Sequence, residues 1–557
     1  MMLGLRNAIP RWTKKGSGRK AFALVAVSVL LCAGIAGCTA DTGPGAFALS
    51  SPTNGATDVS LDPTLTWTSA TGAADYTVEV ANESTFSPPL VYENTGISAE
   101  ATSAMVPDSV LAGGATYYWR VIANSSSGST IAANAPFSFA VRISASLVPG
   151  FGTGGVVTSN PSTGDDAAGD IAIDSTAMYV VGFDESTGLS LDKEWRIEKR
   201  ALTDGSLVPG FGIGGVIISN NSTGDDAALA IAIDSTAMYV VGLDESPGNQ
   251  EWRIEKRSLA DGSLVPGFGI GGVITSNNST GDDAALAIAI DSTAMYVVGF
   301  DESTGLSRDR EWRIEKRSLA DGSLVSGFGI GGVVTSNNST TDDTARGIAV
   351  DSAAMYVIGW DENSGLTDQE WRIEKRSLTD GSLVQGFGTG GVVTSNPSTG
   401  DDAARAIAID STAMYVVGDE GPGYYGDWAW RIEKRSLTDG SLVQEFGTGG
   451  VVTRNYSTGD DAAVAVTIDS TALYVVGIDS AVPGPGPSGD AKWRIEKRGL
   501  IDGSLVEEFG TGGVVTSNPS AGFDAPSSIT IDSATMYVVG VDNSPGNLQW
   551  RIEKRVK

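Results

Sequence analysis

The sequence predicts an all-β chain: a small β-sandwich followed by a seven-bladed β-propeller closed by its terminal strands. Three observations carry this. The phrase Trp-Arg-Ile-Glu-Lys-Arg is written seven times, starting at Trp195, Trp252, Trp312, Trp371, Trp430, Trp493 and Trp550, with 57 to 63 residues between successive tryptophans. A near-constant period in this range marks a repeat architecture. Each copy reads as four short apolar strands separated by turn signals, and no segment carries the helical period. The array also opens on a lone strand and ends one strand short.

The second copy shows the elements in order. Ile231-Ala-Ile233 and Met238-Tyr-Val-Val flank Asp234-Ser-Thr-Ala, a hairpin with a four-residue turn. Trp252 to Arg257 is the third strand, and Asp261-Gly-Ser leads towards a Gly-Val-Val or Gly-Val-Ile strand. Four antiparallel strands, seven times over, is the sequence form of a seven-bladed propeller. Small alanine beside large isoleucine in the first strand suits a crowded axis. The lone strand Gly155-Val156-Val157 precedes any Ile-Ala-Ile strand, and the chain ends on Trp550 to Arg555 without a fourth strand. The first can complete the last, which hides both edges. An open solenoid has no use for complementary ends.

The N-terminus reads as targeting sequence. Arg6, Arg11, Lys14, Lys15, Arg19 and Lys20 precede an apolar run from Ala21 to Ala36, which is short for a spanning helix. The run ends Ile35-Ala36-Gly37-Cys38, which resembles the lipobox of bacterial lipoproteins. The resemblance implies that residues 1–37 are a signal peptide and that Cys38 carries lipid at the head of a linker, 38–45. It also implies a place in the cell envelope outside the cytoplasm, at the outer membrane or cell surface. Loss of the six cations would take the formal net charge from -30 to -36. An acidic chain of this kind repels nucleic acid phosphates. Cys32 would leave with the signal and Cys38 would be acylated, so no disulfide is expected.

Residues 46–142 form a separate module. Leu65-Thr-Trp67-Thr reads as a strand with its indole in the core, and Tyr76, Val78 and Val80 alternate with polar residues. Leu111-Ala-Gly-Gly-Ala-Thr-Tyr117-Tyr-Trp119-Arg-Val121 joins a turn to alternating large side chains. The pattern resembles a fibronectin type III domain with Tyr117 at the tyrosine-corner position. That resemblance implies a sandwich serving as a spacer above the membrane.

From residue 147 to residue 557 the chain is one sentence repeated. Asp-Gly-Ser-Leu followed by Phe-Gly-Thr-Gly-Gly-Val-Val, at 380–393, 439–452 and 502–515, resembles the delta-60 repeat of bacterial propellers. The residue after Leu, usually Asp in that family, is Val384, Val443 and Val506 here. The resemblance implies a propeller and brings no reaction or ligand with it.

Four patterns are candidates for function. Six repeats carry acid pairs: Asp165-Asp166, Asp225-Asp226, Asp282-Asp283, Asp342-Asp343, Asp401-Asp402 and Asp460-Asp461, with Phe523-Asp524 in the seventh. Their recurrence suits turns that hydrogen-bond themselves; calcium at Asp165, Asp166, Asp225, Asp226, Asp282 and Asp283 is the alternative, without any EF-hand loop to support it. The Asp of Asp-Ser-Thr-Ala (Asp174, Asp234, Asp291, Asp410) is expected to cap its hairpin through an Asx-type bond. In Trp-Arg-Ile-Glu-Lys-Arg, Trp and Ile are expected inside, and the Arg-Glu-Arg side to form a ladder near a blade edge rather than a binding ring. The stretch before each Trp varies, with 12, 9, 12, 11, 11, 15 and 9 residues. The fifth offers Tyr424, Tyr425 and Trp428 as candidate contacts for sugar or protein.

No catalytic or cofactor-binding residue is assigned. The chain has no histidine, and no polar cluster unique to one or two repeats is legible. The expected function is a lipid-anchored binding or adhesion scaffold for protein or glycan. A purely structural envelope protein ranks second, and a propeller hydrolase or lyase third.

Overall fold

The computed structural model describes residues 43–557 except 108–109, 142–143, 186–192, 221, 223, 247, 278, 303–309, 338, 340, 363–368, 422–426 and 481–490. Cys38, Tyr424 and Tyr425 lie outside the described residues. Those that are described are all-β, without a helix.

The N-terminal module contains β1 (Leu49–Ser51), β2 (Ala56–Val59), β3 (Thr64–Trp67), β4 (Asp75–Ala81), β5 (Tyr92–Ser98), β6 (Ser103–Met105), β7 (Thr116–Ser125), β8 (Gly128–Ile131) and β9 (Phe137–Val141). Strands β1, β3 and β6 make one sheet; β2, β9, β7, β4 and β5, with β8 on β7, make another. Leu65, Trp67, Tyr76, Val78, Val80, Trp119 and Phe139 share one buried core. The Ala112 N–H donates to the Tyr117 hydroxyl (2.8 Å), tying the start of β7 to the turn before it.

After β10 (Val156–Ser159) the repeats begin. Strands β11 (Ala167–Ile173), β12 (Ala177–Glu185), β13 (Lys193–Ala201) and β14 (Val216–Ser219) form an open antiparallel sheet in that order, innermost to outermost. Five further sheets repeat the pattern. The next consists of Ala525–Ile531, Thr535–Asp542 and Gln549–Val556, with β10 as its outer strand. Val156 faces Glu553 and Ser159 faces Trp550 across that pairing. Innermost strands neighbour one another in succession, and β11 lies beside both Ala227–Ile233 and Ala525–Ile531. The arrangement is propeller-like.

Core layers fill the space between sheets. The second strand alternates with period two, so both of its faces are apolar and buried. Tyr179 and Val181 face the next sheet with Trp195 and Ile197, and meet Met238 and Val240 there. Met178 and Val180 face back to Tyr537, Val539, Trp550 and Ile552. Gly182 ends this run because an added Cβ would overlap the Ala167 carbonyl. Beside it β11 carries a bulge between Ala168 and Asp170, which leaves residue 169 unpaired at the inner rim.

The recurring phrase binds sheet to sheet. The indole N–H of Trp195 donates to the Leu243 carbonyl of the next sheet (2.9 Å), Trp252 to Phe300 (3.0 Å), and Trp550 to Phe183 (3.0 Å). The amine of Lys199 donates to the Leu259 carbonyl (2.6 Å). The opposite side of the strand is buried as well, which corrects the expectation of a ladder near a solvent edge. Glu198 is fully buried and accepts from Arg196 Nη2 (2.7 Å) and Arg200 Nε (2.6 Å). Ser159 of the preceding sheet donates to the same carboxylate (3.0 Å). In the second sheet Arg253 lies 5.3 Å from the ring of Trp195. The physical reason is stacking: the charged face of each third strand is covered by the sheet before it.

The two parts of the chain meet at the hairpin edge of the repeats. Ser144 donates to the Lys557 carbonyl (3.1 Å), and Arg555 donates to the Ala145 carbonyl (2.8 Å). A cavity of about 530 Å³ is lined by Leu61, Asp62 and Leu111 of the first module and by Asp469, Thr471 and Lys557 of the repeats.

Candidate functional site

The opposite edge carries the acid pairs and the variable stretches. Asp165 and Asp166 precede β11, and Glu185 ends β12 beside them. The second acid closes its own turn. Fully buried, Asp166 accepts from Ser162 Oγ (3.1 Å) and the Glu185 N–H (3.2 Å). Asp226 accepts from Ser222 (2.9 Å) and Glu245 (3.0 Å), and Asp283 from Ser279 (2.9 Å) and Glu302 (3.0 Å). The first acid reaches the preceding sheet. Asp165 accepts from the Leu548 N–H (2.9 Å), Asp225 from Lys193 Nζ (3.0 Å), and Asp282 from the Gln250 N–H (3.1 Å). Among the described residues, no group of three or more His, Cys, Asp or Glu side chains is placed to hold a metal.

A further acid, absent from the sequence reading, lies behind these turns. Asp184 on β12 accepts from Arg196 (3.1 Å), and its other carboxylate oxygen is buried without a hydrogen-bond partner. Asp244, Asp301, Asp361 and Asp479 each leave the same oxygen unpartnered. Burial, reinforced by Asp184, pushes the Asp166 carboxyl up to about 7. Burial also raises Asp361 to about 7, against the pull of Arg372. Glu255 and Glu433 go the other way: burial would raise them, but the flanking arginines outweigh it and hold them below the ordinary glutamate range.

These shifts set a pH dependence. A carboxyl raised from about 3.9 in the unfolded chain binds its proton more tightly when folded, so stability falls as pH climbs from about 4 to 7. The lowered glutamates contribute above their unfolded value and lose that contribution on acidification. The melting temperature is therefore expected to peak near pH 5 and to be lower at pH 8. In Asp361→Asn the decline between pH 5 and 8 is shallower. Melting curves check this, and a higher melting temperature at pH 8 than at pH 5 contradicts it.

One corner breaks the repetition. The unpaired bulge residue of the innermost strand is Gly169, Leu229, Leu286, Arg346, Arg405, Val464 and Ser527 in the seven copies. Only the fourth and fifth are charged. Arg405 is ion-paired with Asp419, which is 1% exposed and stands where the other copies have Phe183, Leu243, Phe300, Trp360, Ile478 and Val541. Burial raises the Asp419 carboxyl; Arg405 opposes this, while Asp401 and Asp460 add to it. Glu420 takes over the role of Asp184, accepting from Arg431 (2.6 Å). Arg346 lies 5.6 Å from the ring of Trp360, whose indole nitrogen is buried without a partner.

Trp428, the described member of the aromatic trio, lies against Gly421, and its indole nitrogen is also unpartnered. The expectation that no polar cluster is unique to one or two repeats is therefore wrong. The signal was present in the sequence as arginine at the third position of two innermost strands, but that position becomes special only once the bulge is known.

No protein-family model matches the chain, and no curated protein matches it. Among solved structures, Drosophila Plexin A in complex with Semaphorin 1b is similar over 74% of this chain and 88% of that chain, at 8% identity and a TM-score of 0.37.

Proposed function

We propose that this chain is a lipid-anchored protein of the bacterial cell envelope, whose repeats form a seven-bladed delta-60-type propeller that binds a protein or glycan at its loop edge. In this reading residues 1–37 are the signal peptide, Cys38 carries the lipid, and residues 46–142 are a fibronectin type III-like spacer. Strand β10 completes the last blade. No cofactor and no reaction are involved.

One observation carries the binding role. From each of the first six phrase tryptophans to the carbonyl its indole reaches is 48 residues. The stretch before each Trp, by contrast, runs from 9 to 15 residues. Length variation is thus confined to one edge, and the first module meets the other edge through the cavity beside Asp469. An anchor on that side leaves the variable edge facing outwards, where loops carry recognition.

Glycan arrays and pull-downs with the full chain test the reading. Trp428→Ala, alone and with Tyr424→Ala and Tyr425→Ala, is expected to weaken binding by about 2 kcal/mol, the scale of an aromatic hot spot. Unchanged binding removes the site from that loop. Absence of any ligand would favour the structural role, which the turn-closing bonds of Asp166, Asp226 and Asp283 also suit.

A further inference from the structure

The corner where the fourth and fifth innermost strands meet holds unused hydrogen-bond donors. Among the described residues, Arg346 has no hydrogen-bond or ion-pair partner, although a guanidinium offers five donors. It is partly accessible to solvent yet enclosed by protein. The charges acting on it are Arg405, Asp419 and Arg310, of which Asp419 is already paired with Arg405. Trp360 adds a buried N–H with nothing to donate to. A buried donor left unmet, as at Trp360, is costly, whereas the Arg346 nitrogens stay open to solvent and to a ligand. In the first Arg-Glu-Arg ladder both guanidiniums are paired, and all seven phrase tryptophans donate to a carbonyl, whereas Trp67, Trp119 and Trp428 share with Trp360 an unpartnered indole nitrogen.

We infer that Arg346, with Arg405 near it and the Trp360 ring beside it, forms a binding site for an oxyanion, the carboxylate or sulfate group of a small ligand. A planar guanidinium fork matches such a group bidentately. Small size follows from the setting: net charge is -30, so a polyanion is repelled while a single anionic group can reach a local cluster of cations. Burial and Arg405 together lower the Arg346 guanidinium to about 10, a cost that a bound anion relieves. This site is separate from the loop-edge reading, because it uses neither Trp428 nor the tyrosines beside it.

Calorimetric titration of the full chain with inorganic sulfate, glucuronate and glucose at constant ionic strength tests the inference. Saturable binding of sulfate or glucuronate is expected, with none for glucose; whichever anion binds more tightly identifies the oxyanion. Arg346→Leu is expected to lose at least tenfold in affinity. It places in the fourth sheet the residue that Leu229 and Leu286 supply to the second and third, so the fold tolerates it, and an unchanged melting curve verifies this. Arg454→Leu, at an exposed arginine, is expected to bind like the parent. Absence of saturable anion binding overturns the site, as does unchanged affinity in Arg346→Leu. Loss of anion binding in Trp428→Ala with retention in Arg346→Leu would move the anion to the loop edge and equally overturn it.

Discussion

Glu315→Ala is expected to destabilise the chain by on the order of 3–5 kcal/mol, the cost of breaking a buried ion pair from one side. Glu315 is fully buried and accepts from Arg313 Nε (2.9 Å), Arg313 Nη2 (2.6 Å) and Arg317 Nε (2.6 Å). Removing it strands two guanidiniums between sheets, with Asp301 (3.1 Å) and the Gly322 carbonyl (2.8 Å) left to receive them. Glu315→Gln keeps an acceptor oxygen in place and is expected to cost less. Denaturant titration measures both. A loss for Glu315→Ala below about 1 kcal/mol, the range of an exposed pair, would mean that water reaches the ladder.

The second large effect is expected from loss of β10. A chain beginning at Asn160, compared with one beginning at Ser144, exposes the ladder edge of Gln549–Val556 and uncovers the core that Phe151 and Val157 share with Trp550 and Ile552. An unpaired, partly apolar edge invites pairing with another copy. The shorter chain is expected to melt lower and to self-associate, and a synthetic peptide spanning 150–160 is expected to reverse both. Light scattering after size exclusion, with melting curves, reads the outcome. A monomer with an unchanged melt would show that β10 does not hold the last sheet.

Much of the local structure was legible because it depends on nearby residues. The Asp-Ser-Thr-Ala hairpin is one case: the N–H groups of Thr176 and Ala177 donate to Asp174 Oδ1 at 2.7 and 2.8 Å, as the turn chemistry requires. The four strands of each repeat were legible for the same reason. What was not legible depends on how one sheet stacks on another. Alternation within Trp-Arg-Ile-Glu-Lys-Arg separates two faces, but only the preceding sheet, with Ser159 or Trp195 on the far side, buries the charged one. Arg346 and Arg405 were missed because register decides which inner-strand residue escapes pairing. Asp184 and its equivalents were missed because the acid that Asp184 acts on, the second of its pair, is 18 residues earlier in the chain.

The indole-to-carbonyl bonds have a consequence in time. Six of them span 48 residues, and the seventh, from Trp550 to Phe183, spans 367. Ser144 and Lys557 are 413 residues apart where they meet. As bonds these are equivalent; as folding events they are not, because distant contacts form slowly and domains take shape as the chain emerges. During synthesis six bonds can form between sheets already made. The seventh must wait for the last eight residues, and until then β10 and the Met178 face of the first sheet have no partner. The apolar surfaces awaiting cover belong to the earliest part of the array, so the slowest step in maturation falls on its oldest residues.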